Sequence, residues 1–531
     1  MKKEIRKILE KTVKELQGER IISEIQEIKV EYPPDENYGD YSTNLALLMA
    51  KKLNKSPLKL AEDIKSEILK SKKNFLEKIE IKNPGFINFF ISRKYLFRKI
   101  KEILDKKEKF SELNIGKNKK INIEFISANP TGPLTLGNGR GGFCGDVLAN
   151  IFKKAGYRVI KEYYINDVGV QIKKLGYSVI GGFEAVYKGD YIEKLKKRIK
   201  ENNPEKAGEK AAKIILDEMI KPSIKKMGIK FDVFFSEKSL YKKGLVDKII
   251  KLLEKKGFIY KKDNAIWFKS TQFGDDKDRV LVRADGVKTY FASDVAYLKN
   301  KFDRGFKKLI MFLGADHYGY VRRLKAVSEA LGYKKERIDI IVMQLVRLFE
   351  SGKEKRMSKR EGIYVTIDEL INDVGLDAAR FFFLLKSPDT HLNFDLDLAK
   401  RKSKENPVYY VQYAYARICS IISKLEKNKT IKKQINISDL ELLNDTLELN
   451  LLKQLIKLPD IIEEILEDYQ IQRLPQYAIS VSDAFHKFYE NCRVISEKEQ
   501  LTKARLILIM ATKIVLKDVF DLMGISAPER M

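Results

Sequence analysis

At 531 residues the chain is too long for one ordinary core, and three or four domains with ample apolar burial are expected. Lys and Arg number 103 against 74 Asp and Glu, a formal net charge of +29. That excess favours a polyanionic partner, nucleic acid before membrane, although a lysine-rich chain is also what an AT-rich genome produces. Three distant cysteines, Cys144, Cys419 and Cys492, exclude a disulfide framework and a cysteine-ligated zinc site, and no segment has the apolar length of a membrane span, so a soluble cytoplasmic protein is expected.

Residues 1–118 read as a small α+β domain. The opening MKKEIRKILEKTVKELQ sets Ile5, Ile8, Leu9, Val13 and Leu16 on one helical stripe, unlike the apolar core of a signal peptide. A turn-rich EYPPDENYGDYSTN and a strand-like GFINFFIS follow, and lysines at Lys117, Lys119 and Lys120 mark a linker. In residues 119–387, INIEFIS alternates as a strand does, a glycine-rich loop follows, FCGDVLANIFKKAGY repeats at helical spacing and RVIKEYYIND is a second strand. That βαβ order predicts a doubly wound, Rossmann-type parallel sheet. Lys- and Glu-rich amphipathic helices over about 173–278, with a β-like AIWFKS, are expected to be mostly a helical insertion; RVLVRADG and KLIMFLGADHYG then resume the α/β pattern. Residues 388–531 are helical throughout by pattern, an all-α bundle. The fold class is multidomain α/β: a small α+β domain, a Rossmann-type domain with a helical insertion, and a helix bundle.

Two loops carry the chemistry. Between Ser127 and Ile151 lie six glycines, and the order strand, glycines, helix makes an anion site, because glycine brings backbone N–H groups close to phosphate oxygens and a helix start adds positive charge. Gly137, Gly139 and Gly142 satisfy G-x-G-x-x-G, with Glu162 at the distance of a ribose-binding acid, but in a dinucleotide fingerprint the first glycine follows the strand almost immediately and here ANPTGPLTL intervenes, so the match is a weak one. A P-loop is excluded because no G-K-[ST] follows. The second loop, SGKEKRMSKREG from Ser351 to Gly362, sets Lys353, Lys355, Arg356, Lys359 and Arg360 between glycines and suits closure over a triphosphate.

With both loops read, the chain resembles the class I aminoacyl-tRNA synthetases and, closely, the arginyl-tRNA synthetases. SANPTGPLTLGNGRG stands where that family has its HIGH signature, and RMSKR where it has KMSKS. EYYINDVGVQI, VLVRADGVKTYFASDVAYLKNKFDRGF, GADHYGYVRRLKA, NPVYYVQYAYARICSI, GISAPERM and NYGDYSTNLALLMAK extend the resemblance along the chain. It implies ATP-dependent formation of an arginyl-adenylate and transfer of arginine to tRNA(Arg), with Mg²⁺ accompanying ATP as substrate, no tightly bound cofactor or metal, and a monomer.

The resemblance also implies roles. Thr135, Asn138 and Lys359 are the expected catalytic residues, and Pro130, Gly137, Gly139, Arg140, Arg356, Met357 and Ser358 are expected at ATP. Glu124, Asn129, Tyr290, Asp294 and His317 are expected around arginine, whose planar guanidinium calls for carboxylates. Read without the family, Asp294 has a helix N-cap as its alternative, Tyr290 could equally be a core residue, and a structural histidine is the default for His317. Tyr409, Tyr413 and Arg417 are expected to touch tRNA, from a stretch that also holds Tyr410 and Tyr415 and in which part of the aromatic stripe belongs to the core. By resemblance the N-terminal domain grips the D-arm. The HIGH counterpart reads Thr135, Leu136, Gly137, Asn138, so both imidazoles are replaced by neutral donors, and Arg356 replaces the first lysine of KMSKS. An active enzyme is expected, the alternative being a catalytically weak paralogue that binds tRNA.

Overall fold

The structure is a computed structural model and describes residues 1–17, 28–70, 73–315, 319–355, 365–427 and 437–531. Helix α1 (Lys2–Gln17) buries Ile5, Leu9 and Val13, as its apolar stripe requires. It packs with an antiparallel sheet of β1 (Tyr41–Thr43), β2 (Leu76–Lys82) and β3 (Phe86–Ile91), ordered β1-β3-β2, around a core of its own. That core borrows Ile456 from the C-terminal part of the chain.

The central sheet is parallel and five-stranded. It contains β4 (Lys120–Glu124), β5 (Arg158–Ile165), β6 (Val233–Ser236), β10 (Lys308–Gly314) and β11 (Ile338–Met343), in the order β11-β10-β4-β5-β6. Chain order runs outward from β4 through β5 and β6, then restarts on its other side with β10. The switch point therefore lies at the carboxyl end of β4, where open α/β sheets gather ligands. From there the glycine loop leads into α2 (Leu136–Lys154), and β5 leads into α3 (Val170–Ile180). Helix α4 (Tyr290–Asp303) lies across one face of the sheet.

Three expectations are corrected. The segment 173–278 supplies β6 to the central sheet, and its Leu175, Ile192 and Ala207 belong to the main core, so its first half is no detachable insertion. RVLVRADG forms β9 (Arg279–Val282), which pairs in an antiparallel sheet with β7 (Ile259–Lys262) and β8 (Ala265–Phe268). Its Leu281 packs with Phe268 against Val295 and Leu298 of α4, so this hairpin props the helix that carries the site. Residues after Pro388 are not all helical: β14 (Leu392–Asp395) runs parallel to β12 (Val346–Glu350), which also pairs with β13 (Lys353–Glu354), and Leu348, Leu392 and Phe394 alternate into the core.

Beyond these strands come α5 (Ile367–Val374), α6 (Leu376–Leu384) and the bundle of α7 (Pro407–Lys427), α8 (Leu458–Asp468), α9 (Arg473–Asn491) and α10 (Glu499–Met523). Bundle and sheet domain share one continuous core. Arg380 on α6 joins them: fully enclosed, it donates to the carbonyls of Met227 and Met523 at 2.8 and 2.9 Å and pairs with Asp146 of α2. Helix α1 docks on α8 through Lys2 with Glu464 at 2.6 Å and Lys3 with Glu463 at 2.9 Å. Among the described residues no helix is long and apolar enough to cross a membrane.

Candidate active site

Glu124 ends β4, and its carboxylate is buried. Oε1 accepts from the Ser127 hydroxyl at 3.1 Å; Oε2 accepts from the Tyr297 hydroxyl at 3.0 Å and is paired with the ammonium of Lys301, itself wholly enclosed. Beside it, Glu124 and Glu162 are register partners of β4 and β5. Glu162 is fully buried and clasped by the guanidinium of Arg304 at 2.6 and 2.7 Å, by Tyr297 at 2.6 Å and by the Asn122 amide at 3.1 Å. These partners hold its carboxyl below the ordinary range against the opposing effect of burial. With both oxygens occupied it cannot serve a ribose, which removes the dinucleotide reading.

These partners come from one face of α4. Tyr290, Asp294, Tyr297 and Lys301 fall at helical spacing, with Arg304 just beyond the end. The helix cap is Thr289, whose hydroxyl accepts from Ala292 N, so Asp294 is one turn inside the helix and is no N-cap. The face is divided. Its C-terminal half brings two cations to Glu124 and Glu162. Its N-terminal half brings Asp294 toward Glu237, the residue after β6, which is fixed by its N–H to the carbonyl of Ile165 at 3.0 Å.

Among the described residues neither Asp294 nor Glu237 forms an ion pair. Glu237 is 1% exposed; Oε1 accepts from the Ser293 hydroxyl at 2.7 Å and Oε2 has no partner among the described residues. Burial, with a smaller contribution from Asp167, pushes its carboxyl up to about 7. Asp294 also rises to about 7, from burial and then the charge of Glu237, with Arg323 opposing. Two carboxylates that form no ion pair among the described residues, at the carboxyl edge of a parallel sheet, have the chemistry to receive a cation.

Around them, Asn129 donates to Gln171 at 2.5 Å and accepts from Asn166 at 2.6 Å. The Tyr290 ring, 41% exposed, lies over Gly169, and its hydroxyl accepts from Val170 N at the start of α3 at 2.9 Å. A Cβ at Gly169 would come within 2.6 Å of that hydroxyl, and its φ of +91° also calls for glycine. Tyr290 is therefore no core residue.

At the start of α2, Thr135 donates through its N–H and hydroxyl to Asn138 Oδ1 at 3.0 and 2.9 Å, a reciprocal cap. This leaves the Asn138 amide donors and the exposed Gly137 open. Pro130 is buried in the loop. Gly139 faces Ile367, where a Cβ would approach within 2.5 Å, so it is needed for the close approach of α5. Arg140 is corrected outright. It is 0% exposed and donates to the carbonyls of Gln344 and Ser387, each at 2.8 Å, so it stitches two loops together and does not reach a phosphate. His317, Arg356, Met357, Ser358 and Lys359 lie outside the described residues.

On α7, Tyr409 and Tyr413 stack at 6.3 Å, Arg417 covers Tyr413 at 5.3 Å, and Tyr413 stacks on His486 of α9 at 6.0 Å; all three α7 residues are partly exposed. Tyr410 instead donates to Asp483 at 2.7 Å, and Tyr415 is buried against Phe520.

Sequence reasoning missed Glu237, Tyr297 and Lys301. The i, i+4, i+7, i+11 spacing from Tyr290 was available for the last two, and an acid directly after VFFS was the only local sign of Glu237.

The chain matches three protein families in succession: the arginyl tRNA synthetase N terminal domain over residues 1–91, the catalytic domain of class I (R) tRNA synthetases over 99–395, and the DALR anticodon binding domain over 411–531. It is 46% identical to the arginine–tRNA ligase of Carboxydothermus hydrogenoformans over 525 residues, covering 95% of this chain and 94% of that protein. Its identity to the arginine–tRNA ligase of Bacillus subtilis is 43% over 533 residues, covering 96% and 95%. The fold is also that of the Thermus thermophilus arginyl-tRNA synthetase structure, with a TM-score of 0.79, all of both chains covered and 20% identity. On these matches the chain belongs to the arginyl-tRNA synthetase family.

Proposed function

We propose the following division of labour for the ATP-dependent ligation of L-arginine to tRNA(Arg). Glu237 and Asp294 receive the guanidinium, and the observation that carries this is that neither forms an ion pair among the described residues while both carboxyls are raised to about 7. Glu124, through the lone pair that Ser127 leaves on its Oε1, and Asn129 take the α-ammonium, and Tyr290 closes over the bound side chain; His317, outside the described residues, is assigned to the same pocket by resemblance to the family. The Asn138 amide, Thr135 and the backbone N–H groups at the start of α2, beside Pro130 and Gly137, hold the ATP phosphates, with Mg²⁺ carried on them as part of the substrate. Arg356, Met357, Ser358 and Lys359, outside the described residues, act on the ATP phosphates by resemblance to the KMSKS segment of the family. The arginine carboxylate attacks the α-phosphorus, pyrophosphate leaves, and the 2′-hydroxyl of the terminal adenosine then displaces AMP from the arginyl-adenylate.

The N-terminal domain takes the D-arm, while Tyr409, Tyr413 and Arg417 offer ring faces and charge to unpaired anticodon bases. Aminoacylation with ATP, L-arginine and total tRNA tests the whole reading. Charging with arginine that is lost or shifted to much higher arginine KM in Asp294→Asn is expected. A protein that binds RNA yet charges no tRNA would refute it.

A further inference from the structure

Tyr164 stands on β5 two residues after Glu162 and so projects to the same face of the sheet. Its register partner on β6 is Phe235, two residues before Glu237. The three strands thus line up Glu124, then Glu162 and Tyr164, then Glu237 beneath α4. Packing fixes the Tyr164 ring, with Tyr297 at 4.3 Å and Phe235 stacked at 6.2 Å. The residue is 6% exposed, yet among the described residues its hydroxyl has no hydrogen-bond partner, and neither does Oε2 of Glu237. Native interiors hold few such groups, because an unpaired buried polar atom is costly. Burial, then the charges of Glu237 and Asp294, raise the phenol well above its ordinary range, so the hydroxyl lies in the field of both carboxylates and stays protonated.

We infer that Tyr164 is a specificity-determining residue for arginine: its hydroxyl oxygen accepts an N–H of the guanidinium that Glu237 and Asp294 hold by charge. The inference rests on the assignment of those carboxylates to the guanidinium. A guanidinium spreads five N–H donors over one plane, enough for both carboxylates and a third acceptor, whereas an ammonium has three donors around a point. A lysine side chain therefore leaves the hydroxyl unpaired, a penalty that charge alone does not impose.

Tyr164→Phe removes the oxygen and keeps the ring. In aminoacylation by the full-length enzyme, the KM for arginine should rise about tenfold while lysine, as a competitor, inhibits about as before. The preference for arginine over lysine then falls about tenfold. The unliganded Tm should hold or rise, since no unpaired hydroxyl is buried any longer. Glu237→Gln is measured alongside. If it raises KM while Tyr164→Phe changes neither KM nor preference, the inference is wrong and the carboxylate assignment stands. If neither variant moves KM, the assignment fails and the inference with it. Equal weakening of arginine and lysine would make Tyr164 a packing residue only.

Discussion

Asp294 on α4 and Glu237 after β6 converge as two acids with no paired cation among the described residues, and the charge of Glu237 adds to burial in raising Asp294 to about 7. Glu237 rises to about 7 through burial and Asp167. Because both folded values lie above those of the unfolded chain, the native state holds extra protons between about pH 4 and 7, and these groups make unfolding easier as pH rises through that window. Without arginine, Tm should decline from pH 5 to pH 8 by more than in Asp294→Asn. Arginine prefers the ionised pair, so its stabilising shift in Tm should be larger at pH 8 than at pH 6. A pH-independent shift would separate these carboxylates from the ligand.

Lys301 and Glu124 form an enclosed pair, and removing one partner strands the other charge. Lys301→Met should cost about 3–5 kcal/mol in urea unfolding, and adding Glu124→Gln should restore part of that loss. A double variant that is no more stable than Lys301→Met would contradict the pairing.

Arg140 should behave as a structural residue. Arg140→Lys cannot bridge the carbonyls of Gln344 and Ser387 together, so one is left without its donor at a cost of about 1–3 kcal/mol. Tm should fall while the KM for ATP stays near the parent value. A selective rise in that KM would return Arg140 to the phosphates.

Asn138→Ala removes both the proposed phosphate donor and half of the cap on α2. Adenylation should slow by roughly ten- to a hundredfold, with a stability loss of about 1 kcal/mol from the cap. Single-turnover rates and thermal unfolding together resolve the two effects. Full-rate adenylation would reduce this turn to a helix cap.

On α7, Tyr413→Ala breaks the ladder between Tyr409 and Arg417. The KM for tRNA should rise about tenfold, in line with about 1–3 kcal/mol for a stacked base, with arginine binding unchanged. Unaltered tRNA affinity would place the ladder in the bundle's packing.

Local pattern made the glycine loop legible as a turn between strand and helix, because glycine spacing and apolar periodicity are properties of neighbouring residues. Asp294 and Tyr290 were legible as candidates only through the resemblance to the family, since local pattern alone reads them as a helix cap and a core residue. Thr289 took the cap that Asp294 could have filled, one hydroxyl placed five residues earlier. The edge strand β6 was hidden inside a lysine-rich stretch, since four residues carry too little periodicity to outweigh their surroundings.

By itself the sequence determined the strand–glycine–helix order and the helices of the C-terminal bundle, since each is written within a few turns of chain. Only the tertiary structure decided which charges cancel. Glu124 meets its partners 173 and 177 residues away, and Arg140 its carbonyls 204 and 247 residues away. Local periodicity cannot encode such pairings. The fold therefore pairs Glu124 and Glu162 with cations, withdraws Arg140 into the core, and leaves Glu237 and Asp294 without an ion pair among the described residues, because the cations of α4 reach only the half of the sheet beneath its C-terminal turns.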